Sequence, residues 1–161
     1  MSRFNSFEAV ETGYLGRVHL VSPALLHPYP EALSAFALWL SLPRTRREAR
    51  LVVQRSESSW RWCGGFEGLP AATERGRIEV LALPKSLSDE RIRQMLWAEA
   101  ISPLGLQRQA VPQWQGLIKR HLPADMMALF FGPRGLDTRS AARWFGVTRQ
   151  TMAKYLQASH G

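Results

Sequence analysis

Six side chains near the end of the chain can donate hydrogen bonds to a flat or an anionic ligand. They are Arg139, Arg143, Arg149, Gln150, Thr151 and Lys154. A guanidinium matches the two acceptors of guanine, a glutamine amide matches the donor and acceptor of adenine, and Arg or Lys also binds phosphate oxygens. Such residue types predict recognition of base edges and phosphates.

The segment that holds these side chains, residues 138–157, reads TRSAARWFGVTRQTMAKYLQ and predicts two short helices joined by a tight turn. Ala142, at the fifth position, allows the helices to cross closely. Gly146, at the ninth position, can adopt the positive φ that a chain reversal requires. Either Asp137 or Thr138 can cap the first helix, and Thr148 can cap the second. The apolar positions that predict one continuous buried face are Ala141, Phe145, Val147, Met152, Tyr155 and Leu156.

This segment resembles the helix-turn-helix of bacterial and phage repressors and, in its placement at the chain's end, that of the resolvase and invertase recombinases. No N-terminal segment resembles the serine-nucleophile motif of the recombinases. The resemblance implies that Arg149, Gln150 and Thr151 begin the recognition helix and read bases. It implies that Arg139, Arg143 and Lys154 contact phosphates, which fix the register without reading sequence. The alternative is an ordinary αα-hairpin that only packs a core.

The charge of the chain favours an anionic partner and is concentrated near this segment. The chain has 161 residues and a formal net charge of +8. Residues 100–161 contain eight Lys and Arg against two Asp and Glu, whereas residues 1–99 contain thirteen against eleven. Arg outnumbers Lys by 18 to 3, which suits phosphate and guanine binding. A GC-rich genome also explains that ratio, but it does not explain where the charge lies.

The residues offer no catalytic centre, so the sequence predicts that the protein is not an enzyme. Cys63 is the single cysteine and has no histidine that can be assigned to it from sequence. The expected state of Cys63 is therefore a buried structural residue, although the neighbouring glycines of WCGGF could let a substrate approach. No phosphate-binding loop, dinucleotide fingerprint or acidic cluster occurs, so no metal and no cofactor is expected. His19, His27, His121 and His160 are scattered.

Composition predicts a cytoplasmic globular protein. The chain is 45% hydrophobic and contains six Trp, seven Phe and three Tyr, which excludes a disordered segment. One cysteine fits a reducing compartment, and no secretion signal or membrane-spanning run is present.

The pattern of elements predicts an α+β fold, with a small antiparallel or mixed sheet and helices followed by a C-terminal all-α helix-turn-helix module. The sequence predicts about four strands, a hairpin with its turn at Ser56–Ser58, and a proline-spaced turn at Ser22–Pro30. RTRRE at 44–48 is expected to be a solvated basic turn, or else a second phosphate contact. The predicted strands are 14–21, 50–55, 59–66 and 77–83, and the predicted helices are 31–42, 88–100, 112–122 and 124–131.

Two domains are expected: residues 1–103 as an α+β body for dimerisation, partner or ligand binding, and residues 104–161 as a helical DNA-binding module. The leading hypothesis is a sequence-specific double-stranded DNA-binding protein, a small transcriptional regulator of bacterial, phage or plasmid origin that acts as a homodimer. The alternative is a protein-interaction module whose basic hairpin gives only docking or non-specific DNA affinity. In that case Trp60 and Trp62 could supply an aromatic anchor for a protein partner. Autoinhibition, in which the body covers the hairpin, is a third hypothesis.

Overall fold

The computed structural model describes residues 18–45, 49–70 and 76–157. These residues form a mixed five-stranded sheet and six α-helices, which confirms the α+β fold class. The strand order is β1-β5-β3-β4-β2. The strands are β1 (Val18–Val21), β2 (Leu26–Pro28), β3 (Leu51–Ser56), β4 (Ser59–Gly64) and β5 (Ile78–Leu83).

The predicted hairpin is confirmed by the antiparallel pairing of β3 with β4. Both strands contain β-branched or aromatic residues, which favour strands. In the turn between them, Glu57 adopts a positive φ of 53°. β5 pairs parallel with β3 and antiparallel with β1, which makes the sheet mixed. Residues 14–17 of the first predicted strand lie outside the described residues.

One strand contradicts the predicted turn at Ser22–Pro30. Within that range a single turn of 3₁₀ helix precedes β2, which pairs parallel with β4. β2 has three residues and contains His27 and Pro28, so no alternation of apolar residues marks it. Because proline has no N–H to donate, a strand that contains it is tolerated at the edge of a sheet, which is where β2 lies.

The helices begin and end close to the predicted positions. Ser88 caps α2, since its hydroxyl oxygen accepts from the N–H of Arg91 at 3.2 Å, and Asp89 and Glu90 occupy the first turn. The helices are α1 (Ala32–Leu40), α2 (Asp89–Ala100), α3 (Val111–His121), α4 (Ala124–Phe131), α5 (Thr138–Phe145) and α6 (Arg149–Gln157). None of the described helices is long and apolar enough to cross a membrane.

Contacts divide the chain into two compact units. The first comprises residues 1–36 and 46–99, and the second comprises residues 37–45 and 100–161. The second unit therefore begins near the predicted boundary at residue 103 and also takes in residues 37–45, which the predicted body had included. The functions predicted for the two domains remain predictions.

The first unit buries one apolar layer between the sheet and α2. Val53 and Val80 of the sheet are fully buried, as are Ile92 and Leu96 of α2. Gln54 is also buried, and its amide donates to the carbonyls of Pro84 and Leu87 at 3.1 and 3.2 Å. This polar side chain therefore meets the general requirement that buried donors be paired.

The second unit is built around the carbonyls that follow α2. The last four carbonyls of an α-helix have no partner within the helix, and those beyond it need partners as well. The indole nitrogens of Trp114 and Trp144 both donate to the carbonyl of Ile101, each at 3.0 Å. Arg44 donates to the carbonyls of residues 100, 102 and 104.

Arg44 therefore contradicts the predicted solvated turn at 44–48. Its guanidinium satisfies backbone carbonyls and lies 5.8 Å from the ring of Trp39, so it serves the fold and not a ligand. Residues 46–48 of the same turn lie outside the described residues.

The shared carbonyl gives a stability prediction. Trp114→Phe and Trp144→Phe should each destabilise the chain, but either one leaves Ile101 with one indole donor. The double variant leaves a buried carbonyl unpaired, so its loss in unfolding free energy should exceed the sum of the single losses by about 1 kcal/mol or more. Chemical denaturation of the four proteins measures this coupling.

Trp97→Phe is the matched control. Trp97 is buried, and its indole nitrogen has no hydrogen-bond partner among the described residues. Its loss should therefore add independently to either of the other substitutions. Additivity of Trp114→Phe and Trp144→Phe would contradict the shared role of the Ile101 carbonyl.

Candidate nucleic-acid interface

The first helix of the hairpin, α5, begins with a complete capping box. The carboxylate of Asp137 accepts from the N–H of Ser140 at 2.8 Å, and the hydroxyl oxygen of Ser140 accepts from the N–H of Asp137 at 2.9 Å. The hydrogen bond from the Ser140 backbone holds the pKa of Asp137 below its ordinary value, with the Arg143 charge as a smaller cause. Of the two predicted caps, the structure selects Asp137.

The turn between α5 and α6 has the predicted geometry. Gly146 adopts φ 68° and ψ 31°, the left-handed conformation, and the N–H of Val147 donates to the carbonyl of Ala142 at 3.0 Å. Thr148 caps α6, because its hydroxyl oxygen accepts from the N–H of Thr151 at 3.1 Å. The same hydroxyl donates to the Thr151 hydroxyl at 2.9 Å.

An aromatic core supports the hairpin from within its own unit. The ring of Trp114 on α3 meets Phe145 edge-on at 4.8 Å and Phe131 at 6.1 Å. Trp144 packs against Phe130 and Phe131 at 5.3 and 5.5 Å. Edge-to-face pairs of this kind add stability beyond the apolar area they bury. The inward face of α5 is therefore occupied. Ala141 and Ala142 of α5 and Met152 of α6 are buried as well.

Two residues on this inward face were not predicted. Trp144 and Ser140 are both buried, whereas the sequence pattern marked neither. The indole of Trp144 donates to a carbonyl 43 residues away, a contact that sequence spacing does not reveal. Ser140 was not predicted, although its capping partner Asp137 lies three residues away.

The six predicted ligand-binding side chains lie on the outer side of the hairpin. Arg139 and Arg143 are exposed and stand one turn apart on α5. On α6, Arg149, Gln150 and Lys154 are exposed, and Thr151 is half-buried because it pairs with Thr148.

Helical spacing shows how these side chains are arranged on α6. Gln150 and Lys154 lie on one stripe at i and i+4, and Gln157, which was not predicted, extends that stripe at i+7 and is exposed. Arg149 and Thr151 stand on opposite sides of the stripe, each about 100° from Gln150 around the helix axis. The stripe points away from Met152, which is fully buried. Gln157 is therefore a further candidate contact residue.

The exposed side chains of the hairpin are mostly basic, and Asp137, at the N-cap of α5, is the acidic residue of residues 137–157. No acidic residue occupies the first turn of α5 or α6, where acids normally stabilise a helix. Arg149 instead adds a cation at the positive end of α6. Arg139 and Arg143 are like charges at i and i+4, which costs about 0.2–0.5 kcal/mol in a helix. An anion placed on this face would relieve both costs.

The region around Cys63 is a packed strand end, and Cys63 is buried, as the sequence predicted. Burial, and secondarily the Glu99 carboxylate, raise the pKa of the Cys63 thiol to about 12, so the thiolate is scarce at neutral pH. The carboxylate of Glu99 accepts from the N–H groups of Gly65 and Phe66, each at 2.9 Å. A Cβ on Gly65 would lie 2.1 Å from the carbonyl oxygen of Arg50. The glycines therefore serve the close approach of β3.

The histidines and tryptophans show no second site in the described part of the chain. No group of three or more His, Cys, Asp or Glu residues there could hold a metal ion. His19 packs against Trp60 at 5.2 Å, and His160 lies outside the described residues. Trp62 is buried between Phe36 and Phe66, so it packs a core and does not supply the exposed anchor that the alternative hypothesis considered.

Comparison with known proteins gives remote structural likenesses only. No family model and no curated protein sequence matches the chain. One similar solved structure is the C-terminally truncated chromosome-partitioning protein ParB from Caulobacter crescentus complexed to the centromeric parS site. It is 15% identical over 86% of this chain and 70% of that chain, with a TM-score of 0.43. The same protein complexed with CTP-gamma-S is 12% identical over 88% and 78%, with a TM-score of 0.37. These values do not define a common fold, so function has to be argued from this chain's own residues.

The turn gives a matched pair of glycine predictions. A Cβ on Gly146 or on Gly116 meets nothing within 4 Å, so the two sites differ in backbone conformation alone. Gly146→Ala should destabilise the chain by about 1–2 kcal/mol because of the left-handed φ. Gly116→Ala, within α3, should stabilise it by about 0.5–1 kcal/mol. Thermal and chemical unfolding measure both, and an equal effect at the two sites would argue against the turn geometry.

The cap gives a pH prediction. Asp137→Ala should cost about 1 kcal/mol near neutral pH. Because folding lowers the pKa of Asp137, the charge contributes fully above its ordinary value of 3.8 and is lost as pH falls through the folded-state value. Asp137→Asn keeps the accepting oxygen without the charge. The stability gap between wild type and Asp137→Asn should therefore shrink as unfolding is measured at decreasing pH, and a constant gap would contradict the assignment.

Proposed function

We propose that the chain is a sequence-specific double-stranded DNA-binding protein that places α6 in the major groove. The observation that carries this proposal is the division of the hairpin into two faces. Its inner face is occupied by the aromatic core, whereas its outer face presents Arg139, Arg143, Arg149, Gln150 and Lys154. Among the described residues, none of these five side chains has a hydrogen bond or an ion pair that the fold needs.

The roles follow from position along α6. Residues at the N-terminal end of a recognition helix reach base edges, so Arg149, Gln150 and Thr151 are assigned to base reading. The Thr151 hydroxyl accepts a hydrogen bond from Thr148, so Thr151 should contribute least to base discrimination among the three residues. Lys154, one turn later, and Arg139 and Arg143 on α5 are assigned to phosphates, which supply affinity without sequence information.

A single recognition helix reads few base pairs, and this favours action as a dimer. Two copies related by a two-fold axis would bind half-sites about 34–36 Å apart. The first unit is the candidate dimerisation or partner-binding body. A small transcriptional regulator of bacterial, phage or plasmid origin, working in the cytoplasm, is the role that fits such a molecule. Neither a cofactor nor an enzymatic step is part of this proposal.

Selection of bound sequences from random duplex DNA by the full chain tests the proposal directly. An enriched sequence with inverted symmetry is expected, and the spacing of its halves gives the geometry of the dimer. Failure to enrich any sequence, with affinity independent of salt, would refute DNA binding. If no sequence is enriched but the affinity for duplex DNA falls steeply with salt, the chain binds DNA only non-specifically, as the alternative hypothesis holds.

Substitutions on α6 should distinguish residues that discriminate between bases from residues that contact phosphates. Arg149→Ala and Gln150→Ala should each remove about 1–3 kcal/mol of discrimination between the selected duplex and a scrambled one. Lys154→Ala should weaken both duplexes alike and lower the slope of log affinity against log salt by about 0.9. Fluorescence anisotropy at several salt concentrations measures both effects.

Lys85→Ala is the charge-matched control for Lys154→Ala. Lys85 is an exposed lysine of the first unit. Its loss changes net charge equally and should leave the salt slope unchanged. If Arg149→Ala and Gln150→Ala weakened the two duplexes equally, their assignment to base reading would be wrong.

A further inference from the structure

We infer that Arg108 is a further phosphate-binding residue of the interface and that Tyr155 is the residue that positions it. This inference rests on the proposed DNA-binding function. Arg108 begins the 3₁₀ turn Arg108–Ala110, which leads directly into α3, and lies outside the helix-turn-helix segment. Its guanidinium carbon stands 5.3 Å from the ring centroid of Tyr155 on α6.

The contact places the cation along one flank of α6. Tyr155 follows Thr151 by one turn, so the two residues are neighbours on the same side of the helix. That side borders the exposed stripe of Gln150 and Lys154. Arg108 therefore extends the positive surface of the hairpin sideways from the stripe, on the flank of Thr151.

A guanidinium held in this way keeps its donors available. The attraction is between the cation and the ring, so it does not use up the N–H donors of the guanidinium. Arg108 is exposed, and among the described residues its guanidinium takes part in no hydrogen bond or ion pair. The ring of Tyr155 reduces the side-chain freedom that a long arginine would otherwise lose on binding.

Acidic residues are scarce in the part of the second unit that the structure describes. The described part of residues 100–157 contains two carboxylates, Asp125 and Asp137. Asp137 is engaged by the backbone of Ser140, and Asp125 lies in the first turn of α4. When α6 occupies a groove, the flank on which Arg108 lies faces the phosphates that line the groove wall.

Through this contact Tyr155 links two parts of the second unit. Its ring joins the turn before α3 to the recognition helix, so the supporting helix and the reading helix share one anchored cation. Leucine at this position would fill similar space and lose the attraction between ring and cation. Phenylalanine would keep that attraction and lose only the hydroxyl.

Binding of the full chain to the duplex selected above, measured by anisotropy at several salt concentrations, tests the inference. Arg108→Ala should weaken the selected and scrambled duplexes by the same several-fold factor and lower the salt slope by about 0.9. Tyr155→Leu should give part of that loss, and Tyr155→Phe should bind like wild type. Arg108→Ala combined with Tyr155→Leu should lose no more affinity than Arg108→Ala alone.

Arg120→Ala is the matched control within the same unit. Arg120 is exposed near the other end of α3 and has the same charge. Its effect, whatever its size, should add to that of Tyr155→Leu. Thermal unfolding of every variant separates lost binding from lost folding.

The outcomes separate this inference from the function on which it rests. If wild type binds no duplex, the proposed function fails and the inference fails with it. If wild type binds and Arg108→Ala leaves the salt slope unchanged, the inference alone is overturned. Additive losses from Arg108→Ala and Tyr155→Leu would overturn the positioning role of Tyr155 and with it the inference as stated.

Discussion

The carbonyl of Ile101 is the point on which the second unit depends. It follows the last turn of α2, where backbone acceptors have no helical partner, and it receives the indole N–H groups of Trp114 and Trp144. One of these indoles belongs to the supporting helix α3 and the other to α5. A single buried acceptor therefore fixes both the support and the hairpin, and Arg44 completes the same segment by binding the neighbouring carbonyls. Leaving such acceptors unpaired would cost far more than the bonds gain individually.

This arrangement allows the outer face to be strongly basic. The hairpin is held by rings, an indole pair and two caps, none of which uses the exposed cations. Arg149 at the start of α6 destabilises that helix, and the like charges of Arg139 and Arg143 destabilise α5. The packing of the uncharged core offsets this destabilisation. Stability and the exposed positive charge are therefore supplied by different residues of the same two helices.

Local chemistry explains which features could be predicted from sequence. Gly146, Asp137 and Thr148 act within a few residues of themselves, so their roles in the turn and caps were predicted correctly. The β3–β4 hairpin was equally accessible because both strands and their turn are contiguous.

Features that depend on distant partners were not accessible in this way. β2 has three residues and is a strand because it pairs with β4, which lies more than 30 residues later in the chain. Arg44 caps carbonyls 56 to 60 residues away, which made it indistinguishable from a solvated arginine in the sequence. The contact between the Arg108 guanidinium and the Tyr155 ring joins residues that no periodicity relates. The base-reading assignments concern a ligand, and neither the sequence pattern nor the fold tests them.

Three exposed residues of α6 can be substituted without loss of a structural contact, and this affects how the chain can evolve. They are Arg149, Gln150 and Lys154. Substitution at these positions removes no cap, no buried hydrogen bond and no core contact among the described residues. Variants with a new binding preference would thus pass through intermediates that still fold, without compensating changes elsewhere. Substitution of Trp114, Trp144 or Gly146, in contrast, removes a hydrogen bond or the turn geometry of the hairpin. Under the proposed function, descendants of this chain should therefore change their binding preference well before they change the packing of the hairpin.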